Sequence, residues 1–283
     1  MLGPVRFVRP ALISSFLIIF FILVTWGRYK RSARTKPYQE VLDPLVRSDE
    51  EYCLILRPFG SDGEIVLPHA GPGAATIEQV VARAARKTLR LRTYAIVDQD
   101  RRLAPPGPTY LRAPHDEWQI AALTLIRRAH SVVLILPPGQ EIRSSFKWEI
   151  SQLVEHGLQS RVIIVLPPDR LYPDDYPQAL RQARVLVGAL EGFTVEGADL
   201  HPPERTHVLK FCRSTAFEDP QLRFWDFRSF IEEYQPKVMR WVKWGLWIPF
   251  YRNALRDAFD STERELSTLN FGARYPIRSA RSE

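Results

Sequence analysis

Short runs that are apolar at nearly every position alternate along this chain with stretches whose apolar residues recur every three or four positions. Residues 52–56 (YCLIL), 93–97, 131–136 (SVVLIL) and 161–166 (RVIIVL) are of the first kind, and the last two each run into Pro-Pro. Continuous apolar runs of this length fit strands covered on both faces, as in the centre of a parallel sheet. Between them, residues 76–90 place Ile77, Val80, Val81, Ala84 and Ala85 on one helical face, and Thr76 with Gln79 forms a capping box. Asp116 and Gln119 offer a second box for a helix over 117–129, with Ile120, Leu123 and Ile126 inward. A third helix follows from Ser144 or Ser145 as cap, with Phe146, Ile150, Leu153 and Val154 as its buried stripe. The alternation of strand and helix predicts an α/β three-layer sandwich with a parallel sheet. Two segments compete for the fifth strand: residues 185–190, after a helix over 176–184, and residues 206–211.

The longest apolar run stands outside this pattern. Residues 11–26 (ALISSFLIIFFILVTW) with Pro10 and Gly27 make 18 uncharged positions, about 27 Å as a helix, enough to cross a hydrocarbon layer about 30 Å thick. Arg6 and Arg9 precede it, whereas Arg28, Lys30, Arg31, Arg34 and Lys36 follow. That bias predicts a single-pass anchor in the inner membrane of the cell with the remainder in the cytoplasm. The boundaries read as an anchor and basic collar over 1–36, a linker over 37–51, the α/β domain over 52–200, a mainly helical extension over 201–270 and a tail over 271–283.

Charge changes the picture little once the collar is set aside. The formal net charge of +7 comes from 39 basic and 32 acidic residues, and the seven basic residues of the first 36 account for all of it. The rest is neutral, so no nucleic-acid partner is expected; the cluster Arg83, Arg86, Lys87, Arg90 and Arg92 reads as a solvated helix face. Cys53 and Cys212 read as reduced core residues, and the six histidines show no metal-binding spacing, so no metal is expected. Glycines spell neither GxGxxG nor GxxxxGK[ST], against a dehydrogenase or a P-loop NTPase.

Candidate chemistry lies where a parallel sheet places it, above the strand ends. The connections over 57–75 and 98–115 are longer than compact α/β units use and read as binding loops, lids or oligomer contacts, the second nearly without structure. In the helix SSFKWEISQLVEH (144–156), Glu149 falls in or just past the first turn, with Trp148 beside it and Gln152 and His156 three and seven positions on. A carboxylate there serves either as a helix-start residue or as a ligand for ribose hydroxyls, with the indole as an aromatic platform.

Taken together, LRPFGSDG after the first strand, the strand SVVLILPPG and the helix SSFKWEISQLV resemble the Toll/interleukin-1 receptor (TIR) superfamily, in the divergent form carried by membrane-anchored bacterial proteins. The resemblance covers residues 52–168. It implies a flavodoxin-like, TIR-like sheet and a cleft for NAD in which Glu149 is the catalytic position, with Phe59 and Asp62 as ring-stacking and polar neighbours and Trp148 alongside. Arg57-Pro58 stands where members commonly carry Ser-Tyr, and Ser145 where they carry an aromatic. The implied function is an effector that cleaves or senses NAD at the nicotinamide–ribose bond. NAD is then substrate or ligand, no resident cofactor is required, and the domain forms a homo-oligomer. A noncatalytic self-associating signalling adaptor and a nucleoside-transferase-like enzyme are the alternatives.

In the C-terminal third, Trp241, Trp244 and Trp247 recur every three residues beside Lys237, Arg240 and Lys243. Two readings stand: a helix packed on the sheet, or a segment lying in the membrane interface. Eight uncharged residues from Trp244 onward, broken by Pro249, are too few to span. Residues 253–269 read as an amphipathic helix.

Overall fold

The computed structural model describes residues 35–48, 50–58, 65–68, 74–98, 107–190, 203–212, 221–234 and 246–274. The expected anchor over 11–26 and its collar to residue 34 lie outside them. Among the described residues no helix is long and apolar enough to cross a membrane.

In chain order the elements are β1 (Thr35–Pro37), α1 (Tyr38–Arg47), β2 (Tyr52–Leu56), β3 (Val66–Pro68), β4 (Ala74–Thr76), α2 (Ile77–Thr88), β5 (Arg92–Asp98), β6 (Thr109–Ala113), α3 (Trp118–Arg128) and β7 (Ser131–Ile135). They continue with α4 (Ser144–Glu155), β8 (Val162–Val165), α5 (Tyr176–Leu190), β9 (Thr206–Cys212), β10 (Gln221–Asp226), α6 (Phe227–Tyr234) and α7 (Trp247–Arg274). Eight strands form one mixed sheet in the order β1-β6-β5-β2-β7-β8-β9-β10. The six from β1 to β8 are parallel; β9 and β10 join antiparallel.

Alternation within the strands divides the core in two. Leu54, Leu56, Val132, Leu134, Val162 and Ile164 face α1, α3, α4 and α5, while Cys53, Ile55, Val133, Ile135, Ile163 and Val165 face α2 and α7. Both faces of β2, β7 and β8 are buried, as their continuous apolar runs require. The α/β class with a mostly parallel central sheet is therefore observed.

Several local expectations are met and others corrected. The Thr76–Gln79 capping box forms, with both reciprocal bonds, and the five inward residues of α2 are all buried. The Asp116–Gln119 box does not: α3 starts at Trp118 without a side-chain cap, and Ile120 is 66% exposed. Its buried face is Ala121, Ala122, Leu125 and Ile126, because small alanines let the helix lie close to the sheet whereas the larger side chains suggested a face offset from it. Neither Ser144 nor Ser145 caps α4, whose cap position is Arg143 with no side-chain bond.

The linker read over 37–51 holds a ten-residue helix, α1, that buries Val41, Leu42 and Leu45 against the first core. The connection over 98–115 contains β6, which pairs in parallel between the edge strand β1 and β5. The fifth strand beside β8 is β9; residues 185–190 continue α5 instead. The extension past residue 200 is not only helical, since β9 and β10 complete the sheet.

The aromatic segment packs at its described end. Trp247, Phe250 and Tyr251 are at most 2% exposed, Trp247 stacks on Phe227 at 3.7 Å, and Tyr251 Oη donates to the Leu166 carbonyl at 2.7 Å. The same rings surround His207, whose Nε2 lies 3.3 Å from Asp169 Oδ1. Pro249 sits in the first turn of α7, where a missing N–H costs no helical bond. Trp241 and Trp244 lie outside the described residues.

Candidate functional site

From β2 the chain moves outward to β5 and β6 on one side, then returns to β7 on the other. The ends of β2 and β7 therefore form a point where the strand order reverses, and crevices at such points are where doubly wound sheets hold ligands. Arg57 follows β2 directly, and the segment after β7 leads into α4 through a turn at Gly139. Its φ of +65° favours glycine, and a Cβ there would meet Asp175 Oδ1 at 2.7 Å.

Four buried side chains meet behind this edge. Arg57 is 5% exposed, Glu78 1%, Tyr110 0% and Glu149 3%. The Arg57 guanidinium reaches Glu78 Oε1 at 3.8 Å from its Nε and lies over the Tyr110 ring, 5.4 Å from its centre. Glu78 is the second residue of α2, where the capping box fixes the helix start and the unpaired backbone N–H groups favour a carboxylate. Glu149 comes from α4 on the opposite face of the sheet. Arg57 thus stands between acids from both helical layers.

Glu149 is not a helix-start residue. It is the sixth residue of α4, past the turn whose N–H groups are free. Burial pushes its carboxyl up from 4.5 to about 8, and the charge of Arg57 offsets only part of that. Its Oε2 has no hydrogen-bond partner among the described residues. The group therefore holds a proton at neutral pH and gives it up when positive charge or water arrives beside it.

The remaining expected site residues fall in different places. Trp148 is half-buried and packs edge to face on Trp118, ring centres 5.3 Å apart, about 100° round the helix from Glu149. Phe59 and Asp62 lie outside the described residues; in sequence they follow Arg57 and Pro58 at once. Gln152 bonds Glu155, and His156 accepts from Arg127, so both are engaged away from Glu149.

Sequence reading missed Glu78 and Tyr110 as neighbours of Arg57. Glu78 was visible as an acid in the first turn of a well-capped helix, and Tyr110 as part of the alternating segment TYLRA inside an apparently featureless loop. Among the described residues no group of His, Cys, Asp and Glu is arranged to hold a metal ion.

The molecule is thus of the mixed α/β class, with a mostly parallel eight-stranded sheet and a buried acid–guanidinium cluster at its strand-end edge. No family model, curated protein or solved structure matches this chain.

Proposed function

We propose that this chain is a membrane-tethered, TIR-like effector that binds NAD at the strand-end edge and cleaves its nicotinamide–ribose bond, with Glu149 as the catalytic carboxylate. The observation that carries the reading is Glu149 itself: a buried acid with an unpartnered oxygen, beside the ends of β2 and β7, with its pKa raised to about 8. Buried acids with displaced pKa at a strand-order reversal are characteristic of functional sites. The order β5-β2-β7-β8-β9 supports a flavodoxin-like sheet, although β9 runs antiparallel.

The nicotinamide of NAD is already cationic, so the bond to C1′ breaks as the ring leaves neutral and positive charge passes to the ribose. An ionised Glu149 stabilises that charge; water then adds to C1′ and releases a proton to solvent, giving ADP-ribose and nicotinamide. A protonated Glu149 cannot do this. Approach of the cationic nicotinamide ring favours its ionisation, and turnover rises with pH toward about 8 in substrate-poor conditions.

The test is nicotinamide release from NAD by the full chain in vesicles, both dilute and clustered, compared with Glu149→Gln. Turnover that disappears in the variant while the fold persists supports the reading; turnover unchanged in the variant overturns it.

A second reading, the noncatalytic adaptor, is favoured by one observation. Glu149 is almost wholly enclosed, and two described clefts lie elsewhere, one along Glu40, Arg86 and Arg92 and one along Arg223, Asp257 and Arg264. Absence of turnover even in clustered protein, with signalling intact in Glu149→Gln, selects it.

A further inference from the structure

The strand-start edge of the sheet carries a different chemistry. Helix α2 ends there at Thr88 and β5 begins there at Arg92. Arg83, Arg86, Lys87, Arg90 and Arg92 are all exposed, and so is Lys36 in β1. Lys36, Arg86 and Arg92 line one cleft of about 340 Å³, whose acidic lining is Glu40 and Glu50. Glu50 pairs with Arg92 at 3.2 Å, and among the described residues Arg83, Arg86, Lys87 and Arg90 have no ion pair. Three cations and two carboxylates thus line the cleft, and Arg83, Lys87 and Arg90 add three more exposed cations on and just past α2.

Basic residues in a last helical turn complement the helix dipole, which accounts for Arg86 and Lys87. It does not account for Arg83 or Lys36. Nor does it explain Arg90, which turns the chain from α2 into β5 with φ +57°, a position glycine fills at lower cost. A local rule broken in favour of a cation is a sign of function.

The course of the chain says what faces this edge. β1 runs parallel to β6, with Thr35 opposite Tyr110, so residue 34 enters from the strand-start side. Eight residues separate Trp26, the end of the apolar run, from Thr35, a reach of at most about 30 Å. Arg28, Lys30, Arg31 and Arg34 fill that interval, and basic residues so placed are drawn to anionic headgroups.

We infer that the strand-start edge is a second membrane-contact surface, in which Lys36, Arg83, Arg86, Lys87, Arg90 and Arg92 lie against the phosphates of an anionic bilayer. This contact orients the domain. On the membrane-tethered reading, the eight residues between the apolar run and β1 limit the distance from the bilayer, whereas a folded basic edge sets direction, so the Glu149 edge faces away from the membrane. The inference does not depend on NAD cleavage.

The experiment uses the full chain in vesicles of phosphatidylcholine alone or with one-third phosphatidylglycerol, and measures acylation of lysines by a water-soluble reagent. Lys87 reports the strand-start edge; Lys147, exposed at the beginning of α4, reports the opposite one. Lys87 labelling is expected to fall at least about threefold relative to Lys147 in the anionic vesicles at low salt and to recover at about 0.5 M salt, where the screening length is only a few ångströms. A combined Arg83→Gln, Arg86→Gln, Arg90→Gln variant, whose substitutions are all exposed, is expected to fold and lose this protection. Equal protection in neutral and anionic vesicles overturns the inference, as does full protection in the triple variant. Protection of Lys87 by an oligonucleotide but not by anionic vesicles overturns it in favour of nucleic acid.

Discussion

Among the described residues, the buried charges around Lys210 and around Glu149 are built in opposite ways. Lys210 on β9 is wholly buried, yet its ammonium donates to the carbonyls of Ser160 and Phe211 at 3.0 and 2.8 Å and to Glu265 Oε1 at 3.1 Å. Ser261 adds a further donor to the same carboxylate oxygen at 3.3 Å. All three protons of the lysine are used, and the result pins α7 to the sheet. Glu149 at the strand-end edge is as deeply buried, but one oxygen lacks a partner and its proton is held up to about pH 8. A satisfied buried charge reads as structure, since nothing remains for a ligand to offer. An unsatisfied one retains capacity for a ligand, and its destabilised charged form is the property that catalysis uses.

If this contrast is right, the largest stability effect belongs to the satisfied cluster. Lys210→Met takes the cation away from the Glu265 carboxylate and from two carbonyls, and is expected to cost about 3–5 kcal/mol in urea unfolding. Replacing both partners, as Lys210→Met with Glu265→Leu, is expected to recover most of that loss. A double variant as unstable as the single one would mean that the pair does more than balance itself.

At the other cluster the large effect falls on turnover instead. Glu149→Gln is expected to lower NAD cleavage by two to three decades, about 2.7–4 kcal/mol in the barrier, the usual consequence of removing one preorganised electrostatic partner. Its unfolding midpoint is expected to lie near that of the unchanged protein at about pH 4.5 and above it at neutral pH, because the unfolded glutamate ionises as pH rises past 4.5 and the glutamine does not. A variant that unfolds would move Glu149 into the structural class with Lys210.

The pH dependence of stability separates the two clusters next. A carboxyl raised from 4.5 in the unfolded chain to about 8 when folded binds its proton more tightly in the native state. Its contribution is fully present below about pH 4.5, declines as pH rises toward about 8 and is then gone. The slope is on the order of 1 kcal/mol for each pH unit in that window. Denaturant unfolding between pH 5 and 8 is expected to show it, and Glu149→Gln to flatten it. A slope that survives the substitution assigns the linkage to another group.

The smallest effect concerns how Glu78 is held. Thr76→Ala removes the reciprocal cap of α2 and is expected to cost about 1 kcal/mol in thermal unfolding. If the helix start positions Glu78 for Arg57, nicotinamide release falls in this variant by more than the stability loss accounts for; unchanged release would free the cap from any part in the site.

Most of the central sheet was legible from the chain because β2, β7 and β8 are covered on both faces and so need apolar residues at every position. The edges were less legible. β6 carries only the alternating signal of TYLRA between prolines, and β1 is three residues long, so neither stands out from a loop. The fifth strand was undecidable because residues 185–190 and 206–211 are similarly apolar; packing of Leu186, Val187 and Leu190 on one face of α5 left 206–212 to pair with β8.

At the site, the sequence by itself singled out Glu149 by its place on the helix that follows a strand end, a matter of local order along the chain, whereas Arg57 stood out only as a departure from the family pattern. It also determined the pattern of buried strands and the cap of α2, which depend on neighbours within a few residues. Only the tertiary structure decided that Glu149 is buried and protonated, that Arg57 meets Glu78 from the other layer, and that Trp148 turns toward Trp118. These outcomes depend on which helix face meets the sheet and on how far water is excluded, and both are set by residues up to a hundred positions apart.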